Sequence, residues 1–255
     1  AAPKKGAAIC RHTATEPTAM AMTPPQQSYM RKLAMQQADQ AQAANAHGQT
    51  VGTAYELQLA QLHQHRLRLK DLQSVEKKIE AKRAMLPDYD AYVDGVLQAR
   101  PGTQDDVIAT VLVWHVDAGN YARALAIVEY ALASGIKPPD QYNRNLPTIV
   151  QDEVAEAILA GKLTGQPALE IAAKAMALTD QADTPDQAKS KLYKAAGWAV
   201  LGKHGSHDVD MNARNLKACR EALPLLQRAM ELDTRAGVKK DIERLERRLA
   251  KIQAK

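Results

Sequence analysis

Residues 204–210 bring His204, His207, Asp208 and Asp210 together within one short stretch. Imidazole and carboxylate are ligands for a divalent ion, and such an ion activates water for attack on a phosphodiester. That chemistry would make the stretch the metal centre of an endonuclease. The same residue types are ordinary turn and cap formers. A polar loop that caps the next helix accounts for the pattern without a metal, and we adopt it.

The other chemical patterns are weaker. Gly197 to Lys203 has the spacing of a phosphate-binding loop, but His204 stands where Ser or Thr should hold magnesium, and a helix precedes it instead of a strand. Asp105-Asp106 and Asp152-Glu153 fall at helix starts, where carboxylates complement the helix dipole. His63 and His65 are two apart on a helix and cannot converge on one metal. Cys10 and Cys219 have no His or Asp at a nucleophile's spacing, and two cysteines form neither a disulfide framework nor a four-thiolate zinc site. No catalytic residue, metal ligand or cofactor is therefore assigned. Mg²⁺ enters only with the endonuclease alternative.

The elements that must position any site are helices. The chain has 255 residues, 45% apolar, with 4% aromatics and no Phe. That composition suits packed helices, and no apolar run is long enough to span a membrane. Charge is uneven. Residues 1–86 hold 12 Lys+Arg against 6 Asp+Glu, residues 87–190 hold 7 against 15, and residues 191–255 hold 15 against 8. Basic segments gain affinity for a phosphate polymer by counterion release, so two basic ends around an acidic middle favour a nucleic-acid partner.

Four regions follow. Residues 1–27 mix Pro, Thr, Ala and Gln without apolar period and are expected to be a disordered leader, not a secretory signal. Residues 28–86 are a basic helical region. Ser28 is expected to cap its first helix, and Thr53 to begin one long helix ending near Leu86. Its apolar stripe includes Leu62, Leu69, Leu72 and Ile79 and drifts as a seven-residue repeat does, predicting a coiled-coil-like hairpin. Residues 87–190 are an acidic core. Thr103 to Asp106 resembles a capping box, and two helices at about 106–133 are apolar nearly all round. Prolines at 147 and 167 mark two further helix starts. Residues 191–255 form a basic C-terminal hairpin, where Val238, Ile242, Leu245 and Leu249 make an a/d seam. The whole reads as all-α, with eight to ten helices and no strand.

Several segments resemble a known family. They are Met22 to Lys32, Leu86 to Asp90, Asp106 to His115, Asp117 to Leu125 and Leu132 to Pro139. Together they are similar to the small terminase subunit of peduovirus-type tailed phages, a family labelled terminase endonuclease subunit. The resemblance covers about residues 22–255. It implies recognition of a packaging site on concatemeric double-stranded DNA, partnership with a large ATPase–nuclease subunit, assembly into a ring, and action in the host cytoplasm. Small terminases often bind DNA near the N-terminus, which nominates Arg31, Lys32, Arg66, Arg68, Lys70, Lys77, Lys78, Lys82 and Arg83. The seams at Leu62, Leu69, Leu72 and Ile79, and at Val238, Ile242, Leu245 and Leu249, are the nominated surfaces for self-association or the large subunit. The alternatives are a metal-dependent endonuclease and a helical scaffold that binds only protein.

Overall fold

Val107 to Val116 are ten consecutive buried residues, so the helix that carries them, α5 (Asp106–Asp117), is enclosed on every side. Burial of Thr110 is tolerated because its hydroxyl donates to the Asp106 carbonyl at 2.7 Å. The next helix, α6 (Tyr121–Ala133), buries six residues against the same core. Gly135, at φ +66°, supplies the left-handed turn after it. The cap of α5 is one correction to sequence expectation. Asp105, and not Thr103, is the N-cap, and its carboxylate accepts from the Ile108 N–H at 2.9 Å.

A computed structural model of the chain describes residues 22–44, 53–139, 143–205, 207–211 and 213–253. Residues 1–21 of the expected leader, and Cys10 with them, lie outside the described residues. Helix α1 (Pro24–Ala44) begins four residues before Ser28. Its start is set by Thr23, whose N–H and hydroxyl both donate to the Gln26 side chain. Helix α2 (Thr53–Asp71) and α3 (Val75–Met85) replace the single long helix expected from Thr53. Ser74 breaks it by capping α3 through the Lys77 N–H. The coiled-coil-like hairpin is thus three separate helices, and α1 packs chiefly on α4 (Pro87–Ala99).

That packing depends on a glycine. A Cβ on Gly95 would lie 2.8 Å from the Ala34 Cβ and 3.0 Å from the Arg31 carbonyl oxygen. Neither neighbour is the end of a flexible side chain. Gly95→Ala should therefore cost about 1–3 kcal/mol through overpacking, and Ala34→Gly in the same chain should recover part of it. Urea denaturation of the single and double variants tests this. A Gly95→Ala chain as stable as the wild type would refute the close approach of α1 and α4.

The remaining helices are α7 (Leu146–Leu159), α8 (Gly165–Thr179), α9 (Asp186–Leu201), α10 (Leu216–Leu232) and α11 (Lys239–Gln253). The fold is all-α: the described residues form eleven helices and no strand, with one isolated bridge between His204 and His207. The apolar core is in two clusters. The larger runs from α1 through α9, and the smaller joins Leu201 to Cys219, Leu226, Val238, Ile242 and Leu245. Helix α9 serves both. It meets α10 closely, because Gly197 leaves room for the Leu226 side chain and the Ser190 hydroxyl donates to the Ala229 carbonyl at 2.7 Å.

The nominated seam residues pack within this chain. Leu62 and Leu69 are buried in the larger core, Leu72 leans against it and Ile79 is half-buried. Val238, Ile242 and Leu245 are buried in the smaller core, with Leu249 beside them. No helix among the described residues is long and apolar enough to cross a membrane.

Candidate nucleic-acid interface

The break at Ser74 lays α3 beside α2, with α5 behind them. A cleft of about 400 Å³ results, lined by Lys70, Lys78, Lys82, Arg66, His63 and Trp114. Five of the nine nominated cations are not tied down, and two of them, Lys70 and Lys78, line the cleft. Lys70, Arg68, Lys77 and Lys32 are exposed and Lys78 half-buried, and none makes an ion pair among the described residues. Their charge is available to a ligand.

The other four hold the fold. Arg66 donates to the Thr110 hydroxyl at 2.7 Å, and its Nε is buried without a partner among the described residues. Lys82 pairs with Asp117 at the end of α5. Arg83 donates from Nε to the Ala118 carbonyl at 3.0 Å, and Arg31 lies 3.4 Å from Asp94. Each of these side chains ties one helix to another. Beside them His65 makes a 2.8 Å hydrogen bond to the Tyr89 hydroxyl and a tilted ring contact with Trp114. Burial pulls its pKa down, and Asp88 at 3.8 Å only partly opposes this. His65 is thus a packing group behind the cleft, where burial disfavours its charged form. Trp114 and His63 have no sequence signal for this place, since contact between α5 and the α2–α3 break is purely tertiary.

The nominated nuclease loop is engaged otherwise. The His204 and His207 rings stack with centroids 5.4 Å apart, and His204 rests on Gly161, where a Cβ would meet its Nδ1 at 2.7 Å. The Gly205 N–H donates to the Leu159 carbonyl at 2.6 Å. Asp208 is bound to Arg244 at 2.8 Å, which holds its carboxyl below the usual range. No three His, Cys, Asp or Glu groups among the described residues converge as a metal site. The phosphate-loop spacing at 197–203 also dissolves. Gly197 is buried inside α9, Gly202 is its left-handed cap, and Lys203 pairs with Asp241 at 2.7 Å. The Lys203–Asp241 pair ties the end of α9 to α11.

The family model described as phage small terminase subunit matches residues 59–187, which include α3 through α8 and most of α2. A curated relative, the "Terminase, endonuclease subunit" of Escherichia phage P2, is 36% identical over 229 residues, covering 89% of this chain and 86% of that protein. No solved structure matches. The match spans most of both chains and includes the cleft, so the chain belongs to the phage small terminase subunit family, with a role in phage DNA packaging.

Proposed function

We propose that this subunit binds double-stranded DNA through the α2–α3 cleft and carries no active site of its own. The observation that supports it is that Lys70 and Lys78, both without an ion pair among the described residues, line a recess backed by Trp114, with Arg68 and Lys77 exposed on the same two helices. Such cations gain affinity from phosphate through counterion release. The chain then acts as an adaptor in the host cytoplasm: an oligomeric ring on the packaging-site DNA that delivers it to a large ATPase–nuclease subunit.

Lys70→Gln with Lys78→Gln tests the cleft. Neither lysine has an ion-pair partner among the described residues, so the fold should be unaffected. Two lost phosphate contacts should reduce the slope of log K against log salt by roughly 2 and weaken binding about tenfold near 0.1 M salt. Fluorescence anisotropy on packaging-site duplex reads both. Unchanged binding would move the interface elsewhere.

The endonuclease reading draws its support from the name of the P2 relative. It is separated by incubating the chain alone with packaging-site DNA and Mg²⁺. A gel shift with intact DNA is expected. Cleavage that EDTA stops, and that His207→Ala with Asp208→Ala abolishes, would overturn the adaptor reading.

A further inference from the structure

A second charged recess lies in the C-terminal part of the chain. It has a volume of about 460 Å³ and opens between α11 and the loop at 208–211. One wall is a row of cations, Arg244, Arg247, Arg248 and Lys251. Their spacing of three, one and three residues puts them on one face of the helix, in a row roughly 10 Å long. The first three stand in the middle of α11, too far from its end for the helix dipole to explain them.

These cations are unevenly occupied. Arg247 and Lys251 make no ion pair among the described residues, and the one bond of Arg247 is to the Glu243 carbonyl of its own helix at 3.1 Å. Arg248 has a buried Nε with no partner among the described residues. Arg244 is neutralised by Asp208, which comes from the opposite wall at 2.8 Å, and that wall carries a second carboxylate, Asp210, against the four cations. Asp208 is itself exposed and lies 3.7 Å from Lys203, a lysine already committed to Asp241.

The chemistry of the walls selects the ligand. Val209 and Met211 are the apolar residues of the recess, and both are buried in the smaller core. A docked peptide would find no apolar anchor, whereas a phosphate backbone needs only charge and donors. Guanidinium groups offer phosphate forked donors in the right plane. We propose that this recess is a second site for the DNA phosphate backbone, and that Asp208 is an internal competitor seated on Arg244. The reading of the ligand as DNA rests on the proposed function; the site itself rests on the recess.

The test is anisotropy of a fluorescent packaging-site duplex on the full chain across a salt series. Arg247→Gln with Lys251→Gln should reduce the salt slope by roughly 2 and weaken binding about tenfold near 0.1 M salt. Asp208→Asn should tighten binding roughly fivefold by freeing Arg244. Glu170→Gln, the same charge change on α8, should leave it unaltered. Loss in the Lys70/Lys78 variant with full binding in the Arg247/Lys251 variant would overturn this proposal and leave the α2–α3 cleft standing. The reverse would sustain the recess and refute that cleft. A wild type that binds no duplex would overturn both. A poly-glutamate competitor marks the remaining outcome. If the wild type binds it, the Arg247/Lys251 variant does not, and DNA binding is equal in the two, the recess belongs to an acidic protein segment and the proposal fails. Equal tightening by Asp208→Asn and Glu170→Gln would refute the competitor.

Discussion

Asp241→Ala should destabilise the chain by about 3–5 kcal/mol, the usual cost of leaving a buried charge without its partner. Asp241 is 3% exposed and accepts both oxygens' worth of bonds from Lys203, at 2.7 and 2.8 Å, and one from the Trp198 indole N–H at 3.0 Å. The Lys203 ammonium also lies 4.5 Å from the Trp198 ring centroid, with Lys194 at 4.8 Å. Lys194 donates in turn to the Ala236 carbonyl at 2.8 Å. Two cations on one indole repel each other, and burial together with Lys203 pulls the Lys194 pKa down. Asp241 is the anion that makes the arrangement tolerable. Without it, a poorly solvated ammonium and an indole N–H both lose their acceptor.

The damage should be local as well as global. Asp241 sits in the first turn of α11, and Lys203 follows the end of α9. Hydrogen exchange along 239–251 should therefore rise more than exchange in α5. Lys203→Met with Asp241→Leu should regain most of the stability, because an apolar pair needs no partner for a stranded charge. A loss under 1 kcal/mol for Asp241→Ala, or no recovery in the double variant, would refute the latch.

In sequence, Asp241 is one acid among Asp241, Glu243 and Glu246 on a helix with an a/d seam. Only tertiary contact separates it from the two solvated ones. The all-α class, the apolar pair α5 and α6, and the seam of α11 were legible, because periodicity reports which face is buried. What periodicity does not report is what buries it. The stripe through Leu69, Leu72 and Ile79 continues across Ser74 as if the helix did, since neither Gly nor Pro marks the break. The cap at Ser74 is the one local sign, and it carries weight only when its hydroxyl is seen on Lys77 N–H. For the same reason nine basic residues looked alike. Four proved to be ties between helices, a distinction set by acceptors such as Thr110 and Ala118 that lie 35 or more residues away.

The acid side of the stability curve should contain two opposed slopes that conceal each other. Asp105 is buried, accepts from the Tyr92 hydroxyl at 2.6 Å, and has its pKa raised by burial from 3.8 to about 6. Between those values the folded chain holds a proton that the unfolded chain has lost, so stability falls as pH rises. His115 is also buried, its Nε2 has no partner among the described residues, and burial with Arg123 nearby lowers its pKa from 6.5 to about 4. There the unfolded chain holds the extra proton, and stability rises with pH. Each shift corresponds to roughly 3 kcal/mol, so between about pH 4 and 6 the two nearly cancel. Asp105→Asn preserves an acceptor for the Ile108 N–H and removes the first slope. Its stability relative to the wild type should climb by about 3 kcal/mol from pH 4 to pH 6.5, leaving it no less stable than the wild type at neutral pH. His115→Gln should change in the opposite direction over the same range. Urea titrations at four pH values measure both differences, and subtraction from the wild type removes every group the variants share. A pH-independent difference for either variant would mean that its group titrates alike folded and unfolded, and that its burial does not set its proton affinity.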